Sequence, residues 1–430
     1  MSEGKIVVGV DIGTSKIVTI IARVDDEFVN VLGVSEVPSR GVKKGQIVDI
    51  KDAVEAINSS LDGAERMAGH SVVSVVASIG GSQIESQNSR GVVAVSSPAG
   101  EITESDLARV IDAAKAVSLP SSRQIIHVLP RNYVVDGQEG IKDPIGMTGI
   151  RLEVDTHIIS TASVSLSNLE KAFSQVGIDI DGVVFSGYAS GLAVLSETEK
   201  ELGVILVDIG AGTTDISIYS EGSVAYSSVL PIGARHITND LAIGLRISLE
   251  SAEKIKNYLS NISKKPKVER LGETFENGSR SADEVDLSSL GLPEDLKKVS
   301  HKTLTDGIIR PRLNEIFTMI GIEVKRSGYG GLTPAGIVIT GGGALTVGIT
   351  DSAKRTLAMP VRVGIPINIK GLIDEIQDTP FATVVGLTVF GASLDIKQSL
   401  PFGFRIPDFG NFGLNKLFSR VVNFIKSFMP

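Results

Sequence analysis

The 430-residue chain contains no cysteine, which excludes disulfides, thiolate zinc sites and a cysteine nucleophile. Histidine is scarce: His70, His127, His157, His236 and His301 are scattered without an H-x-x-x-H pair, so a histidine-rich metal site is disfavoured. No uninterrupted apolar stretch reaches the roughly 20 residues of a membrane-spanning helix. The opening MSEGKIVVGVD lacks the layout of a signal peptide, and a cytoplasmic protein is expected. A net charge of −8 argues against a general nucleic-acid surface. No G-x-x-x-x-G-K-[ST] occurs, which sets aside a P-loop. Hydrophobic residues make up 42% and charged residues 21%, a balance that describes folded cores, and the length allows two or more domains.

An internal echo organises what is there. KIVVGVDIGTSKIVTIIARV (5–24) and GVILVDIGAGTTDISIYSEG (203–222) both run apolar strand, Asp-Ile-Gly, small hydroxyl-rich turn, second apolar strand. Two related halves are expected, each opening with a β-hairpin. Around them strand and helix patterns alternate, as in an α/β fold. Residues 52–69 read as a helix, 70–80 as a strand, and 165–177 as a helix stopped at glycine. Between them, residues 84–162 read as a separate small subdomain. Its helix TESDLARVIDAAKAV is capped by Thr103 with Asp106 three residues on, and the strands RQIIHVLPRNYVV and RLEVDTHIISTA follow. The charged, Ser-rich stretch 261–298 reads as an exposed excursion, and a helical pattern over 305–326 returns the chain to the core. QSLPFGFRIPDFGNFG, rich in proline and glycine without a period, reads as a tether.

Three glycine-rich turns carry the chemistry. The first holds Asp11, Gly13, Thr14 and Ser15; the second holds Asp208, Gly210, Ala211, Gly212, Thr213 and Thr214. Small residues suit such turns because a phosphate must come within about 3 Å of a backbone nitrogen. Asp11 and Asp208 suit a hydrated Mg²⁺, which keeps several waters and takes one or two carboxylates. The third turn sets Gly341, Gly342 and Gly343 between a strand and a helix, where an adenosine can approach the main chain. Any one of these alone is most simply a hairpin turn; three in order point to a nucleotide.

DIGTS, DIGAGTTD and TGGGAL resemble the two phosphate motifs and the adenosine motif of the actin, sugar kinase and seventy-kilodalton heat-shock ATPase superfamily. FSGYASGLAVL (185–195) and TPFATVVGL (379–387) look like its two connecting helices. PIGARHITNDLAIGL, PIGMTGIRLEV and GYASGLAVL, with the position of the insertion, resemble the FtsA family of bacterial cell-division proteins. The resemblance implies an α/β, actin-like (ribonuclease-H-like) duplicated fold with an inserted α+β subdomain and a C-terminal amphipathic helix. It divides the chain into a first half over 1–83, an insertion over 84–162, the first half continued over 163–195, and a second half over 196–360 with an exposed subdomain around 225–305. Residues 361–392 return to the first half, 393–413 form the tether and 414–430 the terminal helix. It also implies ATP and Mg as cofactors, a further phosphate-side glycine at Gly233, and Glu253 and Lys256 at the ribose and base. Their i, i+3 spacing puts the latter two on one helix face, which equally fits a surface salt bridge. Many ATPases of the superfamily begin the first connecting helix with an acid and Pro, where this chain has Ser186 and Gly187. Serine cannot replace a carboxylate as general base, so slow hydrolysis at most is expected.

LNKLFSRVVNFIKSFM (414–429) sets Leu417, Phe418, Val421, Ile425 and Phe428 on one helical face, with Arg420 and Lys426 mostly opposite and Phe424 breaking the pattern. Such a helix docks on its own fold, oligomerises or lies at a membrane surface. It is too short and too charged to span, and the family implies attachment to an anionic membrane surface. The family further implies that the chain assembles with itself, and that the second-half subdomain binds the C-terminal tail of the tubulin-like division protein FtsZ. Arg310 and Arg312 are candidates for that peptide's carboxylates, though ordinary surface arginines read the same way. Later division proteins would be met through 84–162, and no nucleic acid is expected. Two rivals share the fold: a small-molecule kinase, with Glu153 and Asp155 as available acids, and a pilus-assembly ATP-binding protein.

Overall fold

The structure, a computed structural model, describes residues 4–25, 28–264, 283–372 and 376–395. The terminal helix expected over 414–430, with Leu417, Phe418, Arg420, Val421, Phe424, Ile425, Lys426 and Phe428, lies outside the described residues, as does most of the tether.

The first half opens with β1 (Lys5–Ile12), β2 (Lys16–Val24) and β3 (Val29–Pro38), followed by a short ribbon of β4 (Val42–Lys43) and β5 (Gln46–Ile47), then α1 (Ile50–Ala68) and β6 (Ser74–Ile79). Asp49 caps α1 by accepting the Asp52 N–H at 3.1 Å, and Gly69 ends it in the left-handed conformation. The insertion follows as β7 (Glu85–Ala94), α2 (Glu104–Lys115), β8 (Arg123–Val135), β9 (Gln138–Ile141) and β10 (Arg151–Ala162). Its sheet, in the order β7-β10-β8-β9, packs with α2 around a core of its own that includes Ile102, Ile111, Leu152 and Ile158. Thr103 and Asp106 form the expected capping box on α2.

The first half resumes with α3 (Ser163–Val176), β11 (Asp179–Phe185) and α4 (Ser186–Val194). The second half comprises α5 (Glu197–Leu202), β12 (Val204–Ile209), β13 (Thr214–Ser220), β14 (Ser223–Leu230), α6 (Arg235–Leu245), α7 (Leu249–Lys264), β15 (Glu284–Asp286), β16 (Lys298–Ser300), α8 (Arg310–Ser327), β17 (Ile337–Thr340), α9 (Ile349–Leu357) and β18 (Val361–Val363). The chain then returns through β19 (Ile369–Gly371) and α10 (Ala382–Asp395). Two sheets result, ordered β11-β6-β1-β2-β3-β19 and β14-β13-β12-β17-β18. The echo in the sequence becomes an echo in space: each half has an antiparallel hairpin with a parallel strand beside its first arm. β12 is buried along its whole length, which is why VILVDI shows no alternation.

Two details differ from the expectations. Residues 303–309 form a π-helical turn before α8, with the Arg310 N–H reaching back to the Thr305 carbonyl. Pro311 explains it: its ring crowds the carbonyl four residues earlier, and a wider turn relieves the clash. Residues 223–230, most of which the resemblance implies for the exposed subdomain around 225–305, form β14, a full strand of the second sheet with Ala225 buried. Likewise β18 pairs with β17, so the second half extends to Val363. The subdomain around α6, α7 and α8 is packed on Leu241, Ile255, Leu313 and Phe317; truncating Phe317 to alanine would cost about 3–5 kcal/mol.

The halves are joined by α4 and α10, which pack directly on each other. A Cβ on Gly386 would lie 1.8 Å from the Ala189 carbonyl oxygen, so only glycine permits this crossing. The insertion bridges both halves. His127 on β8 accepts the Phe185 N–H at the start of α4, while Ser86 and Asn88 on β7 donate to the Ser227 and Ala225 carbonyls of β14 at 2.7 and 3.2 Å.

Candidate nucleotide and cation site

The first two glycine turns, far apart in sequence, meet between the halves. A Cβ on Gly212 would lie 3.0 Å from both Oγ1 and Cγ2 of Thr14, so the turns touch through this pair. Thr14 Oγ1 accepts the Gly45 N–H at 3.0 Å, which ties the first turn to the β4–β5 ribbon. Gly13 is required because a Cβ there would meet the Lys16 carbonyl at 2.6 Å. In the second turn Gly210 donates to the Thr213 carbonyl at 2.9 Å, and the Gly210 and Ala211 carbonyls accept the Ala234 and Arg235 N–H groups at the start of α6, each at 2.9 Å. The N–H groups of Ala211 and Gly212 have no partner among the described residues. A turn with its carbonyls tied back and amides unspent presents positive charge to an anion. Gly233 belongs to this arrangement: a Cβ there would meet the Gly210 and Ala211 carbonyls at 2.5 and 2.7 Å. Thr214, buried, donates to the Ile232 carbonyl at 2.8 Å and fixes the turn from below; Ser15, exposed, accepts the Ser39 N–H through its carbonyl.

Three carboxylates gather under these turns. Asp11 accepts from Ser78 Oγ at 2.7 Å, and Asp208 accepts from Ser190 and Thr383. Asp215, absent from the sequence-based candidates, sits directly opposite Asp208 in the β12–β13 ladder. Burial pushes Asp11 up to about 6, against the Ser78 hydrogen bond and with Asp208 adding repulsion. Burial likewise raises Asp208, and raises Asp215 well above the carboxylate range, with Asp208 and Asp11 contributing. Asp215 Oδ1 is buried with no hydrogen-bond partner among the described residues. Mutually repelling, desolvated acids with an orphaned oxygen suit a cation. Among the described residues no three acids or histidines stand close enough to enclose a metal ion, so Mg²⁺ would keep much of its water here.

The third turn borders the same acids. Gly341 has φ +83°, and a Cβ there would lie 2.1 Å from Asp208 Oδ1. Gly343 is pressed against Ile209, whereas Gly342 faces open space, leaving its backbone accessible to a ligand. Glu253 and Lys256 on α7 are joined at 2.7 Å, and Lys256 is buried, unlike a surface pair. Thr238, on the first turns of α6, donates to Glu253 and accepts from Lys256 at 3.0 Å. Burial opposes the Glu253 charge, but Lys256 and the Thr238 hydroxyl outweigh it and hold its pKa below the ordinary value. The pair is thereby linked through α6 to Gly233 and the second turn.

The peptide-binding candidates sit elsewhere and are engaged internally. Arg310 pairs with Asp306 at 2.9 Å, while Arg312 forms a two-pronged bond to Asp240 on α6 and a second contact with Glu315. Among the kinase candidates, Glu153 is buried and paired with Arg90 and Arg151, and Asp155 is held by Arg90, so both serve the insertion's sheet. A groove of about 540 Å³ at the junction of β8, α3 and β11 contains none of the glycine turns or paired acids. No helix among the described residues is long and apolar enough to cross a membrane.

A profile of the SHS2 domain inserted in FtsA matches residues 81–160, and one for cell division protein FtsA matches residues 205–386. The cell division protein FtsA of Pseudomonas aeruginosa is 39% identical over 393 residues, spanning 91% of this chain and 90% of that protein. In fold, a chain of the PilM-PilN type IV pilus biogenesis complex aligns with TM-score 0.62 at 15% identity, covering 90% of this chain and 98% of its own. MreB5 of Spiroplasma citri bound to AMPPNP aligns with TM-score 0.52 at 13% identity, covering 92% and 99%.

Proposed function

Because the chain belongs to the FtsA family of cell-division proteins, we propose that it binds Mg-ATP between its halves, polymerises on the inner face of the cytoplasmic membrane and anchors the FtsZ ring at the division site. The observation that carries the reading is the meeting of two glycine turns, Thr14 against Gly212, over Asp11, Asp208 and Asp215. Phosphates would lie against the turn amides and Mg²⁺ among the acids, with Gly341 to Gly343 beneath the adenosine and Glu253 and Lys256 beside its ribose and base. Support also comes from the nucleotide bound to MreB5 in the same fold. Ser186 spends its hydroxyl on the Ile79 carbonyl at 3.3 Å, so hydrolysis would be slow.

In this reading residues 84–162 serve self-association and later division proteins, and Arg310 and Arg312 meet the acidic FtsZ tail. The 393–413 tether delivers the 414–430 helix to the lipid. One helix of this length binds modestly; many copies in a filament bind firmly by avidity. Electron microscopy of the purified protein on an anionic lipid monolayer with Mg-ATP tests the proposal. Filaments or ordered arcs are expected, whereas a bare monolayer above soluble, ATP-bound monomers would favour a small-molecule kinase.

A further inference from the structure

Asp208 is bonded to both helices that join the halves. Ser190 on α4 donates to its Oδ2, Thr383 Oγ1 on α10 lies 3.0 Å from the same oxygen, and the two hydroxyls are 3.0 Å apart. All three residues are buried, so water does not compete for these bonds. The other carboxylate oxygen, Oδ1, faces Gly341 in the third turn. One acid therefore touches α4, α10 and the adenosine-side glycines at once.

Ser190 has one proton and two acceptors. Besides Asp208, its Oγ lies 3.0 Å from the Ser186 carbonyl one turn earlier in α4. With Asp208 anionic and unshared, the charge-assisted bond to Oδ2 is the stronger, and Thr383 donates there too. A cation beside Asp208 draws off that charge, and the Ser190 proton can then turn to Ser186 while Thr383 donates to Ser190 Oγ. The pair of hydroxyls thus has two hydrogen-bonding arrangements, at the point where α4 and α10 pack without an intervening side chain.

We propose that Ser190 and Thr383 are positioning residues for the cation and nucleotide site, and that they transmit its occupancy to the crossing of α4 and α10. The inference rests on the Mg-ATP reading above. It assigns to two uncharged side chains the link between ligand and the relative setting of the halves.

The test is calorimetric titration of the full chain with Mg-ATP, paired with amide hydrogen exchange over 186–194 and 382–395, for wild type, Ser190→Ala, Thr383→Val and Thr383→Ser. Wild type should bind and slow its exchange in both helices. Ser190→Ala and Thr383→Val should each weaken binding about tenfold and lose the ligand-dependent slowing even at saturation, while Thr383→Ser retains both. Unchanged affinity, or full slowing at saturation in Ser190→Ala, would overturn the inference. Failure of wild type to bind Mg-ATP would instead remove the reading beneath it. Ser190→Ala deletes a single oxygen and carries the test even if Thr383→Val folds poorly.

Discussion

His127 Nε2 accepts the backbone N–H of Phe185 at 3.0 Å, and the same ring meets Tyr188 and Phe390 edge-on at 5.2 and 5.9 Å. A histidine of the insertion thereby caps α4 and touches α10. Burial holds it neutral, with its pKa lowered to about 3, and burial also lowers His157, between Asn88 and Ser227, to about 3. A depressed folded pKa contributes stability that is present above the unfolded value of about 6.5 and is lost as pH falls toward 3. These two histidines should therefore pull Tm downward as pH falls below 6.5. His127→Gln, which keeps an acceptor for Phe185, should flatten that decline; an unaltered slope would refute the assignment.

The acids of the site act in the opposite sense. Asp11, raised to about 6, costs stability above that pH and relieves the cost as pH falls from 6 toward 3.8. Asp11→Asn should therefore raise the Tm of the nucleotide-free protein at pH 7.5, by the equivalent of about 2–3 kcal/mol at most. It should also remove the further rise that Mg-ATP gives wild type. A lower Tm in the nucleotide-free variant would show that Asp11 is not under repulsion.

Gly341 and Gly342 make a matched pair. Gly341→Ala places a methyl 2.1 Å from Asp208 Oδ1 at a φ of +83° and should destabilise the fold by about 2–4 kcal/mol in chemical denaturation. Gly342→Ala meets nothing within 4 Å, so it should leave stability nearly unchanged while weakening ATP. Undiminished ATP affinity in Gly342→Ala would place the adenosine elsewhere.

Arg312 and Arg310 should separate stability from partner binding. Arg312→Ala breaks the two-pronged bond to Asp240 and should cost about 1 kcal/mol of stability. Arg310→Ala, losing only an exposed pair with Asp306, should leave Tm unchanged and weaken an acidic peptide in fluorescence anisotropy. Equal peptide affinity in both variants and wild type would remove this surface from consideration.

Phe418→Glu should release the protein from anionic vesicles in a flotation assay and leave ATP binding intact, because one charge opposes insertion of the apolar face. Retained flotation would assign lipid contact to another part of the chain.

Local signals carried much of this far. The quoted stretches 123–135 and 151–162 coincide with β8 and β10, and the Thr103 and Gly177 boundaries lie where capping chemistry puts them. Asp215 was within reach: in a hairpin whose turn spans 210–213, strand pairing sets it across from Asp208. Other features depend on partners remote in sequence. Nothing near Ser190 announces Thr383, 193 positions away, and Arg312 reads as a surface cation until α6 brings Asp240 beside it. β14 was hidden because SVAYSSVL, joined to β13 by a two-residue turn, falls where the family resemblance implies the start of the exposed subdomain around 225–305.

The attachment of the insertion has a mechanical consequence. It is fastened to one half through His127 and to the other through Ser86, Asn88 and His157, like a brace nailed across both leaves of a door. Neither leaf can swing far without pulling a nail or tilting the brace. Lys142, just past β9, also bonds the Glu221 carbonyl and pairs with Glu201 of the second half, so the far edge of the insertion's sheet is nailed to that leaf as well.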